Sequence, residues 1–192
     1  MLYAIIIILL LCFVCSKYYT KEREKIRQEE INIEKSVKEI GKIFRDLWNE
    51  AKKIEEEFVS YNDSEVKTIR YLIRQRTGYV PSNVGQINQS YEDLKKLINL
   101  IQKLNGKYPE LKKNKNISSF LQDKFEKTMN DLKEKVNQEY NPSVEAFNNK
   151  IKSFPISLIA QNDDIRNQSK IILWKNSKEC LTKNASCVII YM

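Results

Sequence analysis

Three groups of side chains in this sequence have types and spacings that could do chemistry. Cys180 and Cys187, with six residues between them, offer two thiols for a disulfide or a metal; Glu29-Glu30 and Glu55-Glu56-Glu57 offer carboxylates; Lys103, Lys107, Lys112, Lys113 and Lys115 form the densest local positive charge. Each group lacks what would complete it. The sequence has no histidine, which removes the commonest general base near neutral pH and the commonest metal ligand. It also removes every Ser-His or Cys-His nucleophile pair. A zinc site at the two cysteines would need two more ligands at suitable spacing. A di-metal centre in a helical bundle would need Glu-x-x-His pairs. The cysteines therefore read as free thiols, reduced in a cytoplasmic setting, and the glutamates as solvated helix faces. No catalytic residue, metal, cofactor or small-molecule substrate is expected.

The lysines ask a different question. The net charge is +8 with acids and bases interleaved. No long basic run occurs and no Arg-aromatic interleaving, so a nucleic-acid partner is not expected. Lys112, Lys113 and Lys115 are the candidate contact for an anionic headgroup or an acidic partner; the plainer reading is a solvated loop.

The elements that would position these residues are helices. The chain has 4 glycines and 4 prolines in 192 residues, far below the usual share of about 7% and 5%. Few breakers and many Lys, Glu, Ile and Leu give long helices, and turn residues at strand-like intervals are missing. The fold class is all-α.

From Met1 to Cys15 every residue is apolar or aromatic, followed by Ser16, Lys17, Tyr18 and Tyr19. A spanning helix needs roughly 17 to 25 residues; Tyr18 and Tyr19 can extend the run at the headgroup level, with Lys17 snorkelling. Residues 1–19 are read as the membrane anchor, with Leu2, Ile5, Ile8, Leu11, Val14, Tyr18 and Tyr19 facing lipid. A cleaved signal peptide would want basic residues before the apolar run and a small-residue cleavage site, and a lipoprotein would want a small residue before Cys12 or Cys15. Neither pattern is present. Lys17, Lys21, Arg23, Lys25 and Arg27 follow the span, and such a cluster places the bulk of the chain in the cytoplasm.

Beyond the anchor the spacing predicts a first helix over about 21–61. Its seam is Ile33, Val37, Ile40, Phe44, Leu47, Ala51, Ile54 and Phe58, alternating four and three. A second helix, capped by Asp63 or Ser64, carries Val66, Ile69, Leu72 and Ile73, and a loop is expected over 78–85. A third helix carries Ile87, Tyr91, Leu94, Ile98, Ile101 and Leu104 and is expected to stop at Asn105-Gly106. A fourth starts near Ile117, capped by Ser118 or Ser119, and runs to Ile151 along Phe120 or Leu121, Phe125, Met129, Leu132, Val136, Tyr140, Val144 and Phe147. Pro142 should bend it near Asn141. These long amphipathic helices read as a four-helix bundle of up-and-down type over residues 20–160. Residues 161–192, with short apolar clumps and no lasting period, read as a poorly ordered tail.

The connector Tyr108-Pro109-Glu110-Leu111 followed by Asn114 and Asn116, the pairs Tyr140-Asn141 and Phe147-Asn148, and the closing Phe154-Pro155-Ile156-Ser157-Leu158-Ile159-Ala160 resemble the LemA family in order and spacing. The resemblance covers Met1 to about Ala160 and implies a membrane-tethered four-helix bundle. It brings no reaction, and it implies structural roles for the motif residues, with the closing segment folding back under the bundle. Three departures stand out. Asp46-Leu47-Trp48-Asn49 occupies the place of a Leu-Ile-Pro-Asn segment, Pro142 stands where the family has a helix-friendly residue, and the 161–192 tail has no counterpart.

The functional expectation is a single-pass membrane protein whose bundle is a scaffold or interaction module. Its partners would be membrane lipid, through residues 1–19, and an unidentified protein. A surface-exposed helical protein of opposite topology is the alternative; an enzyme using Lys or carboxylates has the least support.

Overall fold

A computed structural model describes residues 2–157 of the chain. The expected tail, Cys180 and Cys187, and the Leu158-Ile159-Ala160 end of the closing signature lie outside the described residues. Among those described, the chain is helical and no strand occurs. Helix α1 (Leu2–Lys53) is a single helix, so the apolar N-terminal run passes into the heptad seam without a break. It stops well before residue 61. Glu55, Glu56 and Glu57 would place three carboxylates at the partially negative end of the helix dipole. The chain instead tightens into one 3-10 turn, Glu55–Phe58, which keeps Ile54 and Phe58 in the core.

Helix α2 (Ser64–Arg76) follows, with Asp63 at its N-cap. The Asp63 side chain makes no capping bond, because it is engaged elsewhere. Gly78, at φ +77°, turns the chain out of α2 in a conformation that costs glycine little. Helix α3 (Val84–Lys107) begins earlier than the expected loop allows, since Asn83 Oδ1 accepts from the Gln86 amide and caps it. At the other end α3 runs through Asn105-Gly106. Gly106 is not left-handed; the helix ends at Lys107 because Pro109 pushes Tyr108 into an extended conformation.

A short α4 (Pro109–Lys112) leads to a fourth helical run. This run starts at Lys115, not near Ile117: Asn114 Oδ1 accepts from the amides of Asn116 and Ile117 at 2.9 and 3.2 Å. The serines expected as caps lie inside the helix. The run comprises α5 (Lys115–Ser119), a π-helical stretch Phe120–Glu126, α6 (Lys127–Lys135), a second π stretch Val136–Tyr140, and α7 (Asn141–Lys150). Pro142 sits at the start of α7, directly after the second π stretch. A proline has no N–H and crowds the carbonyl four residues back, and a wider turn just before it accommodates both defects without ending the helix.

The chain divides into two compact units. Of the described residues, 2–34 and 139–157 form the first, and Lys35–Gln138 the second. In the first, Ile26, Ile33, Tyr140, Val144, Phe147 and Ile151 are buried, and Lys150 Nζ pairs with Glu29 at 2.6 Å. Burial alone pushes the Tyr140 phenol up to about 12. The second unit is built round Phe44, Leu47, Trp48, Ile69, Ile73, Ile87, Leu94, Leu97 and Ile101. Trp48 Nε1 donates to Ser90 Oγ at 2.9 Å inside this core, and Asn49 Oδ1 accepts the Gly78 amide at 3.2 Å. Trp48 and Asn49, in the segment where the family's proline is missing, thus tie α1 to α3 and to the turn after α2. Gly41 lies so close to the loop that an added Cβ would overlap the Pro81 carbonyl oxygen.

Candidate functional site

Two places bring candidate residues together: the start of α1, and the connector between α3 and the fourth helical run. In α1 the side chains of Ile5, Ile8, Leu11, Val14 and Tyr18 are exposed and Tyr19 is half-buried; the side chain of Leu2 is not described. α1 is long and apolar enough to cross a membrane, and none of its most apolar stretch is buried within the protein. Cys12 and Cys15 are free and exposed on that stretch.

The connector is held by a network with Asp63 at its centre. Lys107 Nζ donates to Asp63 Oδ1 at 2.6 Å and Tyr108 Oη donates to Asp63 Oδ2 at 2.5 Å. The Tyr108 ring meets the Tyr61 ring with centroids 4.7 Å apart, and Tyr61 Oη donates to Glu110 at 3.3 Å. Lys103 Nζ pairs with Glu65 at 2.6 Å. On the far side of α4, the amides of Asn114 and Asn116 each donate to one oxygen of Glu57, at 2.5 and 2.6 Å. Leu111 and Ile117 are buried on either side of the loop. Four residues of the connector signature, Tyr108, Glu110, Asn114 and Asn116, are therefore hydrogen-bonding partners that fix one loop against the 3-10 turn and the start of α2.

The electrostatics follow from these contacts. The Lys103 ammonium bonded to Glu65 holds its carboxyl down at about 2. The Lys107 bond, then the Tyr108 bond, lowers Asp63. Asp63 in return raises Lys107 and Tyr108. Each shift has a surface ion-pair or hydrogen-bond partner as its first cause, so none marks an acid or base tuned for catalysis.

Of the five lysines in the basic stretch, Lys103 and Lys107 are spent on Glu65 and Asp63. Lys112, at the end of α4, Lys113, just after it, and Lys115, at the start of α5, are exposed and pair with no described residue. The glutamates need correction. Glu57 is the acceptor for Asn114 and Asn116, and Glu55 takes Arg70 and Arg74; Glu29 pairs with Lys150. They are tertiary ties and not merely solvated faces. These partners lie far apart in sequence, where no periodic pattern announces a pair; the only available signal is an acidic turn next to a basic helix. Among the described residues no cluster of Cys, Asp and Glu is arranged to hold a metal. Phe154, in the closing signature, is 81% exposed and does not fold beneath a core.

No curated protein and no solved structure matches the chain. The model of the LemA family matches it over residues 42–180, a range that begins after Ile33, Val37 and Ile40 of the α1 seam and not at Met1, contains the seam from Phe44 on, the connector network and both aromatic-Asn pairs, and continues past Ala160. The chain belongs to the LemA family.

Proposed function

We propose that this protein is a single-pass, membrane-tethered scaffold that holds a partner protein at the bilayer, with the helices after the anchor on the cytoplasmic side. The observation that carries the tether is the contrast within α1. Its N-terminal apolar stretch is wholly unburied, whereas Ile26, Ile33 and the seam beyond them are packed. A helix exposing that much contiguous apolar surface needs a nonaqueous environment. The scaffold role is supported by two compact helical units tied internally by ion pairs such as Glu29–Lys150 and Asp63–Lys107, in a sequence that carries no His-based catalytic set. The basic cluster after Ser16 supports the cytoplasmic orientation.

The test uses a chain whose Cys12, Cys15, Cys180 and Cys187 are replaced by Ser and whose exposed Lys127 is replaced by Cys. Right-side-out membrane vesicles are treated with a membrane-impermeant maleimide, before and after detergent. Labelling only after detergent is the expected result. Labelling of intact vesicles would invert the orientation and favour the surface-exposed alternative. Extraction of the protein by carbonate wash would remove the tether itself.

A further inference from the structure

The outward face of α2 carries an arrangement that neither the anchor nor the connector explains. α2 buries Val66, Ile69, Leu72 and Ile73 on one side. Its other side presents Lys67, Tyr71, Arg74 and Gln75 to solvent, with Arg70 at the edge. Tyr71 is 62% exposed. Arg70 Nε and Arg74 Nε both approach the same oxygen of Glu55, at 3.4 and 2.8 Å. The Glu55 side chain is 14% exposed and that of Arg74 is 64% exposed.

We propose that this face is a docking surface for an acidic segment of a partner protein, whose carboxylates are gripped by Arg70 and Arg74 while an apolar side chain packs on Tyr71. The proposal deepens the scaffold reading and rests on it only for where the partner is held.

Three observations support it. First, both guanidinium groups are held by Nε, and neither makes another hydrogen bond among the described residues. The terminal nitrogens of both forks are left over, and these suit bidentate capture of a carboxylate. Second, the charge is unbalanced here and balanced nearby. Arg76 is spent on Asp93 and Lys103 on Glu65, but Arg70 and Arg74 share one carboxylate and Lys67 has none. Third, Tyr and Arg are the residue types enriched at the energetic centres of protein interfaces. Two guanidinium groups pinned one helical turn apart suit anions of fixed spacing, as on a peptide. A fluid headgroup layer is served as well by mobile lysines.

Glu55 is the positioning residue in this scheme, and that separates the proposal from a simple excess of charge. The full chain is placed in nanodiscs of zwitterionic lipid and titrated against a fluorescein-labelled peptide of repeated Glu-Glu-Leu units, read by anisotropy. The double variant R70K/R74K keeps every charge and loses the forks; affinity is expected to fall about tenfold. E55A makes the protein more positive yet is expected to weaken binding too. K124Q/K127Q removes two exposed charges elsewhere and is expected to leave affinity within about twofold, as an exposed and screened contribution. Wild-type affinity in R70K/R74K, or an equal loss in K124Q/K127Q, would overturn the proposal. So would tighter binding by E55A. Because R70K/R74K leaves the core untouched, the test stands even if E55A does not fold. Vesicles rich in phosphatidylserine and inorganic phosphate serve as competing probes. Fork-dependent binding of either one, with no fork-dependent binding of the peptide, would assign the site to lipid or free phosphate and refute a protein partner. The maleimide and carbonate results are read on chains with this face intact, so a failed tether and a failed docking face are told apart.

Discussion

Ser90→Ala is expected to destabilise the protein by about 1–3 kcal/mol, the cost of leaving a buried donor without its acceptor. Trp48 and Ser90 are both fully buried, and the indole N–H donates to the hydroxyl at 2.9 Å. No water can replace an acceptor lost from a site closed on all sides, and the methyl of Ala fills nearly the volume of Ser, so the loss is electrostatic and not a cavity effect. At roughly 2–4 °C per kcal/mol for a chain of this size, the midpoint should drop by roughly 2–12 °C. The assay is Trp48 fluorescence through urea and thermal unfolding in a W174F background, since Trp174 is the chain's other tryptophan. That probe reports the unit containing Trp48, which suits a chain with two compact units. W48F and the double variant complete the cycle, with all four chains followed by far-UV circular dichroism because W48F removes the fluorophore, and a coupling of about 0.5–3 kcal/mol is expected between groups in contact. A change in S90A below about 0.3 kcal/mol, or strict additivity of the two substitutions, would show that the bond contributes nothing and refute the reasoning.

Three further outcomes rest on local geometry and charge. Gly41→Ala should cost about 1–3 kcal/mol, because its Cβ would meet the backbone oxygen of Pro81 and a backbone cannot step aside cheaply. Gly106→Ala, with open space around it inside α3, should instead stabilise by about 0.5–1 kcal/mol; chemical denaturation of both variants checks the opposite signs. Acid should weaken the connector: Glu65 is held at about 2 and Asp63 is also lowered. Their contribution is complete above the ordinary carboxylate range and is lost as pH falls from there through the depressed folded values. Urea midpoints between pH 5 and pH 2 should fall less steeply for E65Q than for wild type, and parallel curves would contradict the assignment.

Periodicity made the cores of these helices legible in advance. Every residue of the expected α1 seam is buried, as are Ile87, Leu94, Ile101 and Leu104 of α3, because a repeat of three and four reports which face meets the core. Ends were less legible. Asn105-Gly106 carries the composition of a left-handed stop, but a single proline two residues beyond the helix decided where α3 ends. The start of the fourth run belonged to Asn114, whose side chain reaches two amides, and not to the serines that follow. The connector was visible as a motif, yet its mechanism was not: Asp63 reads as a helix cap and serves as the acceptor for Lys107 and Tyr108. The Arg70–Glu55–Arg74 arrangement left no trace in periodicity, since it joins a turn to the exposed side of the next helix.

The unbroken passage of α1 from its apolar stretch into the packed part of the first unit has a mechanical consequence. Fifteen apolar residues rise about 22 Å, short of a hydrocarbon layer about 30 Å thick. A span with a flexible linker would absorb that mismatch by tilting or shifting on its own. Here Lys17, Tyr18 and Tyr19 lead straight into Ile26 and Ile33 on one helix, so with α1 across a bilayer any tilt of the span would also be a tilt of the first unit. Bilayer thickness would then act on that unit as a torque. Thin membranes would hold the first unit with little strain, and thick ones would draw its charged neck toward the headgroups or thin the lipid around it.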